Sequence, residues 1–483
     1  MRILLLASLL VAAGLAGCLG GDDGSPTTDD TDRGLHPHRD PTHPDFQPNV
    51  VVAVLDSGVN PYHSEFAEHY EHGDPASYIP NYPGAEVLDL SDWEAPGDGF
   101  NHDNKDTAIW GATEPDTLYR VNNSKIVGLI SITGSGDPSI GTGAGLLPGG
   151  GHGTMTASRA VGNTVSVGGE KIRVVVVVGI TLESVQWVAE QEWIDMVSIS
   201  SGASLGIFAP GAANALSPNM MQAYQALAEA KPFFASSGNG VGNTGTAGFP
   251  TWLRGPSGIP DAISVGANEN GDMAIWHNWQ PYVVADGCAN PAAEDESADE
   301  VTDTGGGTSS AAPYSAGTGA EILWQARYLL GDTHVGPRYA DAPVASWNAW
   351  DSLAPGDASV ILAAGDPALR GITDGPLADG VFTLQEFKDV LYHTALPDGT
   401  DDDSDGANPC TVTARGITDD GGVPMDVRAQ FQGYGELNNA SAEAATAVLT
   451  GETPLPTATE ADAWYERFHA LRTASYTAST TGR

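Results

Sequence analysis

Three short stretches of the chain carry side chains of complementary chemistry. Asp56 closes the apolar run VVVAVLD and is followed by Ser57 and Gly58. In GGGHGTMTASRAVG the imidazole of His152 sits between glycines at the predicted start of a helix. In TGGGTSSAAPYSAGTGAEILWQARYLL a glycine-rich turn leads to Ser309 and then into a long helix of small residues. An alcohol, an imidazole base and an orienting carboxylate are the groups that activate an oxygen nucleophile for acyl transfer. Taken singly, each has an ordinary reading. A strand-ending Asp also binds metals or caps helices, a lone His is as often structural, and a Ser at a helix start is most often a cap. Around Ser309 the neighbours add weight, because Pro313 near the helix start and Ala311, Ala312 and Gly317 on a close-packed side suit a seated nucleophile. A helix start is also expected to lower the pKa of His152, which suits a neutral base.

Together these segments resemble the subtilisin-like serine peptidase (subtilase) family. DSG, HGT and GTSSAAP occur in that order, and Asp, then His, then Ser is the subtilisin order. The resemblance implies that Ser309 attacks the scissile carbonyl, that His152 takes and returns the proton, and that Asp56 fixes the imidazole tautomer. KPFFASSGNG resembles the family strand that leads to the oxyanion-hole amide, which lands on Asn239 with Gly238 beside it. VSISSGAS resembles the edge strand that pairs with an extended peptide, making Ser200, Ser201 and Gly202 substrate-binding candidates. AISVGA, FTLQEFKDVLYHTA and GYGELNNASAEAA extend the likeness from about 48 to 450. The implied substrates are polypeptides, the implied state a monomer, and the chemistry requires no cofactor. Structural Ca²⁺ is common in the family. Asp98 to Asp106 and Asp398 to Asp405 offer oxygen ligands, although solvated loops are the favoured reading of both, and the metal content stays unassigned.

Several features depart from the family pattern. Family members commonly carry a propeptide of domain size, and only a short polar stretch lies between Cys18 and the first strand. The gap between Asp56 and His152 is unusually long. Ser310 and Tyr314 stand where Met and His are frequent, and Met155 follows HGT where another residue is usual. None of these removes a catalytic group.

The elements that must position these residues follow from periodicity. Val50 to Leu55, Arg173 to Val178, Met196 to Ile199, Phe233 to Ala235 and Ala262 to Gly266 are apolar runs suited to strands buried on both faces. Glu183 to Glu192 and Met220 to Ala230 carry helical spacing between them. Such alternation predicts an α/β three-layer sandwich with a mostly parallel central sheet flanked by helices. Residues 60–150 and 330–380, rich in Gly, Asp and Trp, are expected to be surface insertions within a peptidase domain over 48–450. Residues 451–483 are expected to be a tail with one peripheral helix around Glu460 to Arg472. No internal repeat is present.

Charge and composition bound the function. Of 483 residues, 62 are Asp or Glu and 20 are Lys or Arg, a formal net charge of -42. Nucleic-acid binding needs a basic face, and the sequence contains no basic block. An acidic shell of this kind repels itself less as salt rises, which predicts adaptation to a salt-rich setting. MRILLLASLLVAAGLAGC has a positive start and an apolar run too short to span a bilayer, so residues 1–17 read as an export signal. Leu15, Ala16, Gly17 and Cys18 resemble a lipobox, which makes Cys18 the lipidated mature N-terminus and the sole membrane contact. This fits a haloarchaeal-type lipoprotein on the outer face of the membrane, or an extracellular protein. Residues 18–47 are polar and Pro-rich, a tether; His36, His38 and His43 within it read as solvated. Cys288 and Cys410 either pair as a disulfide or remain separate thiols.

Three functions remain on this scaffold: an active endopeptidase, a catalytically silent peptide-binding lipoprotein, and a narrow processing peptidase or esterase.

Overall fold

The run Val50–Asp56 (β1) is the axis of the molecule, and all seven of its residues are buried. Its alternation sorts the core into two faces. Val50, Val52 and Val54 pack with Ala157, Ala160 and Ala316, whereas Val51, Ala53 and Leu55 pack with Val185, Val188 and Leu227. A strand buried on both faces has no room for polar alternation, which is why the run reads as continuously apolar. The computed structural model describes residues 50–69, 72–79, 81–90, 107–132, 143–147, 151–201, 217–239, 255–269, 272–273, 280–287, 291–303, 306–331, 359–361, 372–396 and 432–481.

Around β1 the sheet is built from Glu86–Leu88 (β2), Tyr119–Val121 (β3), Ile126–Ser131 (β4), Ile172–Val178 (β5), Met196–Ile199 (β6), Phe233–Ser236 (β7), Ile263–Glu269 (β8), Asp272–Met273 (β9) and Val283–Asp286 (β10). The order is β10-β8-β7-β6-β1-β5-β4-β3-β2, with β9 pairing β8 off this path. From β10 to β4 every neighbouring pair is parallel. β3 is antiparallel to β4, and β9 to β8. The helices include Thr107–Gly111 (α1), His152–Val161 (α2), Leu182–Glu190 (α3), Pro218–Ala230 (α4), Thr308–Gly331 (α5), Leu384–Thr394 (α6), Asn439–Leu449 (α7) and Thr459–Thr481 (α8). Residues of α2, α5, α6 and α7 join the core on one face, and those of α3 and α4 on the other. The architecture is the α/β three-layer sandwich expected from the sequence.

Two expectations about the chain's margins require correction. Residues 60–150 do not form only a surface insertion, because they supply β2, β3 and β4 to the central sheet. β4 is buried along its length, and Gly128 within it lets β5 come close: a Cβ there would lie 2.8 Å from Val175 Cγ1. The helix near the C-terminus is also longer than Glu460 to Arg472 and is not merely peripheral. Phe468 on α8 is buried, and the Arg472 guanidinium lies 4.0 Å above the Tyr282 ring. Its Nη2 donates to the Gln280 carbonyl at 2.6 Å and the Ser264 hydroxyl at 3.1 Å.

The scarce lysines serve the interior. Of the five in the sequence, Lys125, Lys231 and Lys388 are buried. Lys125 Nζ donates to the Val161 carbonyl, Lys388 Nζ to the Asp261 carbonyl, and Lys231 Nζ to three carbonyls, those of Val188, Gln191 and Ile194. Lys171 pairs with Glu321 at 2.7 Å and lies over the Trp324 ring.

Candidate active site

β1, β6 and β7 end at the same edge of the sheet, and the chain places a candidate site residue at or just past each end: Asp56, Ser200 and Asn239. The C-terminal edge of a parallel sheet is where an open α/β fold gathers its ligands. Two helices, α2 and α5, start at this edge and bring His152 and Ser309 to it. They pack closely because Gly317 on α5 faces α2, where a Cβ would lie 2.6 Å from the Ala160 carbonyl.

His152 and Asp56 are joined directly. His152 Nδ1 lies 2.8 Å from Asp56 Oδ1 and 2.9 Å from Oδ2. An ionised carboxylate only accepts, so Nδ1 carries the proton and Nε2 of the neutral ring is left as the acceptor. Asp56 is itself fixed, since Oδ1 accepts from the Ser57 backbone N–H at 2.8 Å and Oδ2 from the Thr156 hydroxyl at 3.1 Å. Thr156 follows His152 by one helical turn, a spacing that puts both on one face of α2. The start of α2 reaches β1 only because residue 153 is Gly. A Cβ there would fall 1.9 Å from the Gly58 carbonyl oxygen, and Gly58 itself holds a φ of +86°.

The imidazole pKa moves opposite to the expectation from its place at a helix start. It is raised, first by the hydrogen bond to Asp56 and then by that carboxylate's charge, against the opposing effect of burial. A charge-assisted bond at 2.8 Å outweighs a helix dipole, whose influence on an ionisable group is usually modest.

Ser309 lies in the first turn of α5 and exchanges contacts with Ser200. Its Oγ donates to the Ser200 carbonyl at 3.3 Å, and the Ser200 Oγ donates to the Ser309 carbonyl at 2.7 Å. The second bond has a covalent cause. In a regular helix the Ser309 carbonyl would accept from the N–H of residue 313, and Pro313 has none. Ser200 supplies the missing donor. Among the described residues the Ser309 hydroxyl has no hydrogen bond to His152.

Asn239 follows β7 and meets the same turn. Its Oδ1 accepts from both the backbone N–H and the hydroxyl of Thr308, each at 3.0 Å. A backbone N–H requires an oxygen opposite it, so the amide's NH2 is the end left to donate elsewhere. Gly307, with φ +62°, lies against this amide, and a Cβ there would come within 2.6 Å of Nδ2. Gly238 donates to the Thr308 hydroxyl at 3.2 Å. Ser201 is exposed beside Ser200.

Gly202, Cys18, Cys288, Cys410 and both oxygen-rich stretches, 98–106 and 398–405, lie outside the described residues. Among the described residues, no group of three or more His, Cys, Asp or Glu side chains is arranged to hold a metal ion, and no helix is long and apolar enough to cross a membrane.

Sequence reasoning missed two groups that hold the site: Thr308, which orients Asn239, and Asp295, which binds the start of α2. Thr308 was legible as the neighbour of Ser309. Asp295 gives no local signal, because its partners are 141 and 144 residues away.

Residues 47–331, more than half of the chain, match the model of the subtilase family, a peptidase family. The chain belongs to the subtilase family. Similar solved structures include a cold-adapted subtilisin-like serine proteinase, at 19% identity and a TM-score of 0.34 over 58% of this chain and 76% of that one. The Prenylagaramide maturation protease PagA is 17% identical, with a TM-score of 0.40 over 86% of this chain and 95% of its own. Sphericase is 16% identical, with a TM-score of 0.33 over 58% and 80%. No curated protein sequence matches the chain.

Proposed function

We propose that this chain is a serine endopeptidase acting on extracytoplasmic polypeptides through Asp56, His152 and Ser309. The observation that carries the reading is the bond of His152 Nδ1 to Asp56, which leaves Nε2 as a base at the sheet edge where Ser309 stands. In the reaction His152 Nε2 takes the proton from the Ser309 hydroxyl as Oγ attacks the scissile carbonyl carbon. The oxyanion is met by the Asn239 NH2 and by the Ser309 backbone N–H, one of the helix-start donors without an intrahelical acceptor. The imidazolium, stabilised by Asp56, gives its proton to the leaving amine, and water drawn through the same base hydrolyses the acyl-enzyme. The backbone after β6, at Ser200, Ser201 and Gly202, pairs with the extended substrate, so that affinity comes from main-chain bonds.

The setting we propose is outside the cytoplasm, as a monomer tethered through a lipid on Cys18 at the outer face of the membrane. The signal-like start and the acidic composition support it. No cofactor enters the chemistry; bound Ca²⁺ would be structural.

Labelling with a fluorophosphonate probe in molar salt tests the nucleophile. Wild type labels and Ser309→Ala does not; equal labelling of both would overturn the assignment. Digestion of a denatured peptide library under the same conditions separates endopeptidase from esterase or silent binding protein.

A further inference from the structure

The helix that carries His152 begins without a cap of its own. Gly151 precedes it with φ +68° and has no side chain to accept the first N–H groups. A distant hairpin, formed by Pro291–Ala293 (β11) and Val301–Asp303 (β12), instead holds the residue just before the helix and a side chain of its first turn. Asp295 in its loop accepts the Gly151 N–H through Oδ2 at 3.0 Å and the Thr154 hydroxyl through Oδ1 at 2.9 Å.

These bonds close a ring. Thr154 Oγ1 in turn accepts from the Asn60 backbone N–H at 2.9 Å, in the loop that follows Asp56. Asn60 Nδ2 returns to the hairpin, donating to the carbonyls of Asp295 at 2.9 Å and Ser297 at 2.8 Å. The loop after Asp56, the first turn under His152 and the hairpin are therefore one network. The same hairpin leads to the nucleophile: from Asp303, the last residue of β12, the sequence passes through Gly306 and Gly307 to Thr308 and Ser309.

The hairpin is firm enough to act as a clamp. Thr302 Oγ1 bonds Glu294 across it at 2.6 Å, and the Ser297 hydroxyl accepts the N–H groups of Asp299 and Glu300. It also follows α2 downward, where the Ala293 N–H donates to the Ser158 hydroxyl at 3.1 Å and Arg159 Nη1 donates to the Pro291 carbonyl at 3.4 Å. Asp295 is 7% exposed. A carboxylate so buried is costly unless its oxygens are bonded, and here both are, at the positive end of a helix.

We infer that Asp295 is a positioning residue for His152, clamping the first turn of α2 from the hairpin that leads into Ser309. The inference rests on the proposed catalytic role of His152. The His152 side chain is 42% exposed, and Asp56 is its hydrogen-bond partner, so the orientation of the ring depends on where the helix start is held. A displacement of about 1 Å at a catalytic group costs about 10²-fold in rate.

The test compares Asp295→Ala, Asp295→Asn and, as a control on the same hairpin, Glu296→Gln, which changes an exposed carboxylate. Two quantities are read: kcat and KM on a peptide substrate, and the low-field proton resonance of His152 Nδ1–H by NMR in the free protein. Asp295→Ala is expected to lose about 10²-fold in kcat with KM nearly unchanged, and to shift or broaden the resonance. Asp295→Asn keeps one acceptor oxygen and recovers part of both; it also serves if the Ala variant does not fold. Glu296→Gln leaves both as in wild type. Unchanged kcat and resonance in a folded Asp295 variant, with only a lower Tm, would overturn the inference and make Asp295 a plain anchor. Should wild type itself cleave no peptide, the peptidase reading fails, and the resonance still decides whether Asp295 holds the ring.

Discussion

The Ser309 carbonyl accepts the Ser200 hydroxyl at 2.7 Å, in the place of the backbone N–H that Pro313 lacks. Ser200→Ala would therefore leave a part-buried acceptor without its protein partner, at a cost of about 1 kcal/mol. Replacing Pro313 by Ala restores an N–H four residues after Ser309. The double variant is expected to recover much of the stability lost by Ser200→Ala, and a double-mutant cycle on urea midpoints measures that coupling. Additive losses would show that the two residues do not share this carbonyl.

The raised pKa of His152 sets the pH dependence. The base must be neutral, so kcat/KM is expected to climb through an acid limb above the ordinary imidazole value of 6.5. Asp56→Asn removes the charge and leaves only one neutral acceptor oxygen, so both effects that raise it are lost or weakened. The limb should move to lower pH, and the plateau should fall about 10⁴-fold, the loss known for this substitution in a related triad. Stability runs the other way: the contribution of a raised pKa is present in full below the unfolded value and disappears as pH rises through the folded one. A pH–rate profile of both proteins checks the first claim.

Gly153→Ala places a methyl group 1.9 Å from the Gly58 carbonyl oxygen, and both partners are backbone. Neither can rotate away, so α2 must shift from β1 and carry His152 from Asp56. The expected result is a loss of about 3 kcal/mol in stability together with loss of fluorophosphonate labelling. A variant that labels at the wild-type rate would show that the approach of α2 to the loop is not required.

The excess of acidic side chains predicts that Tm rises from low to molar salt, as screening shortens from about 10 Å at 0.1 M to about 3 Å at 1 M. A flat or falling melting series would remove the adaptation to salt.

Much of this was legible in the sequence where one physical signal acted alone. β6 runs from Met196 to Ile199 as expected, and β1, β5 and β7 differ from their apolar runs by one residue at an end. β4 escapes such a reading although IVGLI is as apolar as the others, because the Gly-, Asp- and Trp-rich chain around it hides a six-residue strand. At the site, Asp56, His152, Ser309 and Asn239 were readable because each stands in a distinctive local motif. Asp295 and the hairpin were not, since nothing near Asp295 in the chain reveals that its carboxylate will meet a helix start formed more than a hundred residues earlier. The direction of the imidazole shift is hidden for the same reason: the neighbour that decides it lies 96 residues away.

The placement of the lysines has a practical outcome. With Lys125, Lys231 and Lys388 turned inward and Lys171 held against Glu321, amine-directed crosslinkers and dyes find few primary amines to react with on the folded protein. Coupling to a support or a label is better directed to the abundant carboxylates, and the extent of amine acylation becomes a direct gauge of how far the chain has opened.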